Sequence, residues 1–394
     1  MSTVGQLNPS PRLLLGPGPS DAHPRVLSVM ATPLLGHLDP QFLTVMNETQ
    51  ELLRGAFQTN NRLTFPISGT GMAGMETCMV NLLEPGDRAV VCVTGYFGER
   101  MAEVASRTGA EVTRIDQPWG QVFDPQRVRE ALKKVRPKVL TIVQAETSTG
   151  AWQPLEEMGA ICREFDTLLV ADTVTSLGCV PFALDDWKID AVYSCSQKGL
   201  SCPPGLAPVS FGPRAVEVMA RRKTKVQSWY LDLSLLQRYW GDERVYHHTA
   251  PITMIYALRE GLRLLHEEGL RQRWDRHLRN HRALRAGLIA LGLSYTAAEG
   301  RQLPQLNAVR IPDGVDDLTV RKRLLEEFGI EIGSGLGEFK GRAWRIGLMG
   351  DNSRPAVVLQ FLAALEQCLQ GQGARGAPGR GVAAANEVYA KKEQ

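Results

Sequence analysis

The sequence predicts an α/β protein with a large domain built on a mostly parallel sheet flanked by helices, followed by a smaller C-terminal α/β domain. Three observations predict it. Apolar stretches ending at Gln144, Asp172 and Tyr193 read as buried strands, and helical segments such as 155–165 lie between them, giving a β-α-β rhythm. The chain has 394 residues, more than the roughly 250–300 at which a single core stops growing. A second, shorter alternation of strand and helix runs through 307–311, 320–328 and 342–348. The expected division is an N-terminal segment 1–20, a large domain 21–267, a small domain 268–370 and a tail 371–394.

In chain order, Leu13-Leu-Leu opens with a short apolar stretch and then enters a rigid Gly16-Pro-Gly-Pro-Ser20 loop. Thr32 to Pro40 breaks regular structure, with His37 inside it, before a helix over about 41–56. Residues 63–68 lead into Gly69-Thr-Gly-Met-Ala-Gly74, which matches GxGxxG. A dinucleotide site would place an acid about 20 residues on, after the second strand. Asp87 comes too early, in a turn before the strand 89–93, so nicotinamide binding is the weaker reading. What remains is a glycine-rich turn feeding a helix whose free N–H groups can hold a phosphate.

Strand 89–93 runs into Thr94-Gly-Tyr-Phe97 and a helix to about residue 108. Strand 138–144 ends in the hydroxyl-rich Ala145-Glu-Thr147-Ser-Thr-Gly150, which by itself need only satisfy loop backbone groups. Two further strands end at Asp172 and Tyr193, the second followed by Ser194-Cys-Ser-Gln197-Lys198-Gly and a Pro203-Pro204 block. The basic run 221–225 reads as a solvated face or an anion patch. Tyr246-His-His-Thr249 suggests a metal pair, but no Cys, Asp or Glu cluster accompanies it and neighbouring side chains diverge, so a metal site is not expected. Residues 258–291 form one long charged helical stretch bridging the two domains. Arg345 sits inside the apolar Ala343-Trp-Arg-Ile-Gly-Leu strand, where it needs an anion, in a structural salt bridge or on a ligand. From Gly371 the composition turns to Gly, Ala, Arg and Pro, predicting a flexible tail without a catalytic part.

Composition removes several function classes. Lys+Arg 45 against Asp+Glu 42 leaves a net charge of +3, which suggests no nucleic-acid partner. No apolar run approaches the roughly 20 residues of a membrane span. Seven scattered cysteines without a CxxC pair, an N-terminus unlike a signal peptide and a C-terminal Lys-Glu-Gln that is no peroxisomal address give the cytoplasm as the expected compartment.

The chemistry concentrates at Lys198 and Asp172. Alone, Lys198 is a loop lysine at a strand end. In an open parallel sheet, however, ligands sit beyond the carboxyl ends of the strands, where Asp172 also lies. Desolvation there lowers a lysine pKa and frees the neutral amine that Schiff-base chemistry requires. Pyridoxal phosphate needs this pair: an amine to hold its aldehyde, and a carboxylate to keep its pyridine nitrogen protonated.

Asp172-Thr-Val174-Thr-Ser-Leu-Gly178 followed by Ser194-Cys-Ser-Gln-Lys198 resembles the fold-type I, class V aminotransferases, and among them the alanine–glyoxylate and serine–glyoxylate enzymes. The likeness runs from Leu13 to about residue 370. It implies a fold-type I pyridoxal-phosphate enzyme that moves the amino group of alanine or serine to glyoxylate, so that its partners are small amino-acid and 2-oxo-acid substrates. It also implies a homodimer with shared sites, Tyr246 and Thr249 reaching the neighbour's cofactor phosphate. By the same resemblance Thr70, Gly71 and Met72 bind the phosphate, Phe97 stacks on the pyridine where the family often has tryptophan, and Thr147 bonds near the ring oxygen. Val174 and Gln197 complete the cofactor set, and Arg345 clamps the substrate carboxylate through its planar fork. The rival within the family, a cysteine desulfurase, needs an acceptor cysteine before the substrate arginine, and the loop 333–340 has none.

Overall fold

The computed structural model describes residues 4–373 and 376–391. Apolar runs without hydrophobic–polar alternation, such as Val139–Val143 and Leu168–Asp172, are buried along their whole length. Strands covered by helices on both faces have that pattern. They belong to a seven-stranded sheet in the order Leu63–Ser68, Leu206–Phe211, Ala191–Tyr193, Leu168–Asp172, Val139–Val143, Arg88–Val93, Glu111–Asp116. Pairing is parallel from Glu111–Asp116 across to Ala191–Tyr193, and Leu206–Phe211 runs against both its neighbours. The two reversals at Leu206–Phe211 cancel, so the carboxyl end of Leu63–Ser68 emerges at the same edge as those of the parallel strands. That edge is where an open α/β sheet binds ligands.

A four-stranded sheet in the order Leu13–Leu15, Ile330–Ser334, Ala343–Gly347, Leu306–Arg310 forms the smaller unit. Its core, with Trp344, Ile346, Phe361 and Leu365, is a cluster separate from that of the large sheet. Two elements show more than the sequence reading gave. Leu13–Leu15 pairs in parallel with Ile330–Ser334, Leu13 opposite Ile330 and Leu15 opposite Ile332, so the start of the chain is an edge strand of the small sheet. The long charged stretch is two helices, Ile252–Glu268 and Leu270–Ala290, broken at Gly269 with φ 87°.

The expected flexible tail is corrected. Residues Arg380–Ala390 are a helix with Gly381 and Ala385 buried. The Tyr389 hydroxyl donates to Asn280 Oδ1 at 2.8 Å, and Val382 and Val388 pack on the small-domain core. The docking face is made of small and β-branched residues, which carry little hydrophobic signal in a Gly/Ala-rich sequence. Among the described residues no helix is long and apolar enough to cross a membrane.

Candidate active site

The strand Leu168–Asp172 delivers its terminal carboxylate to the ligand edge, and Asp172 is 3% exposed. One carboxylate oxygen accepts from the Val174 N–H at 2.8 Å and the other from the Tyr193 hydroxyl at 2.7 Å. Burial pushes the Asp172 pKa up to about 6, against those two donors. It remains ionised at neutral pH and aimed by two fixed bonds. Tyr193 ends the neighbouring strand, and five residues later Lys198 is 8% exposed. Burial brings the lysine down to about 8, with the Arg345 charge acting in the same direction and Asp172 opposing it. A neutral amine is therefore available close to neutral pH.

The Gly16–Ser20 loop pins this lysine. The Ser20 N–H donates to the Gln197 carbonyl at 2.9 Å and its hydroxyl to the Lys198 carbonyl at 2.8 Å. The Lys198 ammonium donates to the Pro17 carbonyl. Gly18, with φ +114°, lies so close that a Cβ there would sit 2.6 Å from Lys198 Cδ and Cε. The loop that the sequence shows only as a rigid Gly/Pro turn thus holds the lysine side chain itself.

Thr70 starts the helix Gly71–Leu82 and makes no side-chain capping bond, leaving the first N–H groups of Gly71 and Met72 open to an anion. A Cβ on Gly71 would stand 3.2 Å from Val174 Cγ2 and from Cys195 Cβ, which brings the helix start against the Asp172 and Lys198 segments. Nearby, the Gln197 side-chain oxygen is buried without a partner among the described residues. Thr147 is buried, with its hydroxyl 2.5 Å from that of Thr175. Phe97 is part-buried at the start of the Tyr96–Ser106 helix, its ring edge-on to Tyr96.

Arg345 comes from the other unit, in the strand Ala343–Gly347, and is 7% exposed. Its Nε donates to the Ser334 carbonyl at 2.7 Å, and no carboxylate ion-pairs with it among the described residues. Burial lowers its pKa to about 10, with Glu146 opposing. A buried guanidinium whose fork is left free has the geometry to receive a carboxylate.

Tyr246 and Thr249 are brought together but stand apart from the rest. Both are exposed, with their hydroxyls 3.5 Å apart, and neither contacts Lys198, Asp172 or Arg345. Between them, His247 and His248 do face each other, Nδ1 to Nδ1 at 2.9 Å, contrary to the divergence expected of adjacent residues. His247 stacks on Trp229, and His248 Nε2 lies 2.7 Å from Ser68 Oγ. Burial and His247 lower the His248 pKa to about 4. Among the described residues no three potential metal ligands converge.

An amine with a lowered pKa, a fixed carboxylate, an uncapped helix start, an orphaned amide oxygen and a free guanidinium fit a phosphorylated pyridine aldehyde and an amino acid. The family profile for aminotransferase class-V matches residues 27–338. This chain belongs to the class-V aminotransferases. It is 42% identical to the (S)-ureidoglycine–glyoxylate transaminase of Bacillus subtilis, over 96% of this chain and 95% of that protein. It is 39% identical to the alanine–glyoxylate aminotransferase of Drosophila melanogaster, over 91% and 92%. A crystal structure of an alanine–glyoxylate aminotransferase from Nostoc sp. superposes with TM-score 0.92 at 54% identity, covering 93% of this chain and 97% of that one. The fold is thus fold-type I, and the cofactor of this aminotransferase is pyridoxal phosphate.

Three residues of the aminotransferase site carried no role in the sequence. Tyr193 read only as the end of a strand, although a tyrosine level with Asp172 on the adjacent parallel strand was legible as a neighbour. Ser20 reaches Lys198 across 178 positions, which no local pattern signals. Glu146 was one member of a polar run, and its burial shows only in the fold.

Proposed function

We propose that this aminotransferase moves the amino group of a small amino acid, alanine or serine, to glyoxylate, giving glycine and a 2-keto acid. The observation that carries this reading is the buried, unpaired Arg345 whose charge Lys198 senses. One guanidinium beside the reactive amine matches substrates with one carboxylate. The relatives differ in amino donor but share glyoxylate in their names, which supports it as acceptor. The desulfurase alternative remains unsupported, because the loop 333–340 before Arg345 contains no cysteine.

Pyridoxal phosphate, when bound, supplies an electron sink for the electrons released as the substrate's α-proton departs. The residues of the chain would do the rest. Asp172 would keep the pyridine nitrogen protonated, held in register by Tyr193 and Val174. Thr70, Gly71 and Met72 would hold the phosphate, and Phe97, Thr147, Val174 and Gln197 would border the rest of the cofactor. Arg345 would fix the substrate carboxylate, and with it the direction of the Cα–H bond. Lys198 Nζ would take the α-proton and return it one position along.

The working form proposed is a homodimer. Leu34, Leu38, Trp229, Tyr230 and Tyr246 are exposed, and the segments that carry them meet through His37, whose ring lies 5.2 Å from Tyr246, and through His247. Exposed apolar side chains gathered in this way would suit an association surface. A second copy covering it would bring its own Tyr246 and Thr249 to the neighbour's site. The cytoplasm is the proposed compartment, in keeping with seven buried cysteines that are all free.

A donor panel with glyoxylate tests the reading. Alanine or serine should give glycine stoichiometrically with the keto acid. Turnover of (S)-ureidoglycine but of neither small amino acid would overturn the donor assignment. A purified protein without a near-visible absorbance band, or with one that survives borohydride, would overturn the covalent role of Lys198.

A further inference from the structure

Glu146 is the most buried charge of the site, 1% exposed, and the proposed reaction gives it no task. Four donors converge on its carboxylate. Ser148 supplies its hydroxyl at 2.6 Å and its N–H at 3.1 Å, and the N–H groups of Phe97 and Gly98 lie at 3.3 and 3.2 Å. The Ser148 hydroxyl in turn accepts from the Tyr96 N–H at 3.0 Å. The first three N–H groups of the Tyr96–Ser106 helix thus end on two side chains from about 50 positions downstream.

This is an unusual way to start a helix. The N-cap residue is Gly95, which has no side chain to offer, whereas a Ser or Asp there would cap locally. The space such a side chain would occupy is filled: a Cβ on Gly95 would stand 2.5 Å from Glu146 Cγ and from Ser148 Oγ. A buried carboxylate is costly to desolvate, and no cation ion-pairs with Glu146 among the described residues. Burial raises its pKa in spite of the donors. What the remote cap provides and a local one would not is a fixed relation between Phe97 and the 145–148 turn that carries Thr147. The Glu146 charge is also felt by both arms of the site, raising the pKa of Arg345 and of Asp172.

We infer that Glu146 is a positioning residue for transamination: its carboxylate closes the first turn of the Tyr96–Ser106 helix and so sets the Phe97 ring against the cofactor. The inference rests on the reading of Phe97 as the ring-stacking residue. Gln at this position keeps the shape but turns one acceptor oxygen into an NH2 group facing N–H donors, so the turn cannot close as before.

The test uses the holoenzyme and the variants Glu146→Gln, Phe97→Ala and Ser148→Ala. Visible circular dichroism of the bound cofactor, hydrogen exchange of the 95–106 segment, kcat and KM are the readouts. Glu146→Gln should load cofactor yet lose much of its visible dichroism. Exchange at residues 96–98 should rise by about tenfold. The value of kcat should drop on the order of 10- to 100-fold, while KM for the carboxylate substrates stays near wild type because Arg345 is untouched. Wild-type dichroism and exchange in Glu146→Gln, with altered dichroism in Phe97→Ala, would overturn the role of Glu146 alone. Unaltered dichroism in Phe97→Ala would instead overturn the stacking assignment, and this inference with it. If Glu146→Gln fails to fold, Ser148→Ala should show the same changes in smaller size, and wild-type values there would count against the inference.

Discussion

Gly18 lies against the side chain of Lys198, and its missing Cβ is what leaves room for the lysine. A Cβ at that position would stand 2.6 Å from Lys198 Cδ and Cε and 2.9 Å from Nζ, on a backbone with φ +114°. Gly16, two residues earlier, is different: a Cβ there meets Glu331 Oε1 at 3.5 Å, an ordinary contact. Gly18→Ala is therefore expected to lose cofactor capture by tenfold or more and roughly 1–3 kcal/mol of stability, while Gly16→Ala stays close to wild type. Borohydride trapping followed by intact mass measures the loading. Equal loading in the two variants would show that the loop does not position the lysine.

The depressed pKa of Lys198 makes a statement about stability with a definite sign. Its ordinary value of 10.5 falls to about 8 in the folded chain, chiefly through burial. Below about pH 8 the folded chain must carry a buried charge that the unfolded chain keeps in water, so the group is destabilising there. Between about 8 and 10.5 the unfolded chain binds more protons, and stability rises with pH. The cofactor-free Lys198→Met variant should be more stable than cofactor-free wild type at pH 7 by up to roughly 3 kcal/mol. The gap should close as pH climbs through that window. Urea unfolding at pH 7, 8.5 and 10 checks this, and a gap independent of pH would refute the desolvated amine.

Asp172 and Tyr193 act as a pair. Tyr193→Phe removes one of the two donors that hold the carboxylate and lets its pKa rise above about 6. Cofactor should still load, with kcat reduced several-fold and its acid limb moved to higher pH. Asp172→Asn, which keeps the shape and removes the charge, should cost orders of magnitude in single-turnover rate. The two variants in one series separate orientation from charge. A Tyr193→Phe pH profile that overlays wild type would mean the hydroxyl contributes packing alone.

Arg345→Lys keeps a positive charge but loses the planar fork. Its KM for both the amino donor and glyoxylate should rise by about tenfold or more, since both present a carboxylate and a bidentate charged pair exceeds a neutral hydrogen bond of about 1 kcal/mol. Steady-state kinetics on each substrate decide it. Unchanged KM values would assign the arginine to the Ser334 carbonyl and to structure.

What was legible in the sequence and what was not divides along a physical line. Lys198 and Asp172 could be read because each follows an apolar strand, and the ligand edge of a parallel sheet is a consequence of chain direction. Arg345 could be read because a guanidinium inside an apolar strand demands an anion. The contacts of Gly18, Ser20 and Glu146 could not, because they join segments 50 to 180 positions apart and leave no periodic trace. The Arg380–Ala390 helix was misread because its buried face is Gly381 and Ala385, residues that in a Gly/Ala-rich run look like linker. The break at Gly269 was missed because helical periodicity continues on both sides of it.

Complementation tests the proposed sharing of the site between two subunits. Tyr246 and Thr249 are exposed and touch each other rather than the lysine of their own chain. Yet His248, two residues after Tyr246, is bonded to Ser68, which precedes Thr70 of the same chain by two positions. In the proposed homodimer, a phosphate contact within one chain and one across the interface predict different mixtures. Lys198→Ala homodimers should be inactive, and Tyr246→Ala homodimers impaired through weaker cofactor retention. If the contact crosses the interface, a mixed dimer has one site with Lys198 from the Tyr246→Ala subunit and Tyr246 from the Lys198→Ala subunit. That site is whole, and the other is doubly damaged. Co-refolding under limiting cofactor should then recover up to one working site per mixed dimer, well above the mean of the two parents. A contact within one chain gives each subunit its own defect and restores nothing. Activity equal to the parental mean, with heterodimers verified by native mass spectrometry, would therefore rule out the shared site.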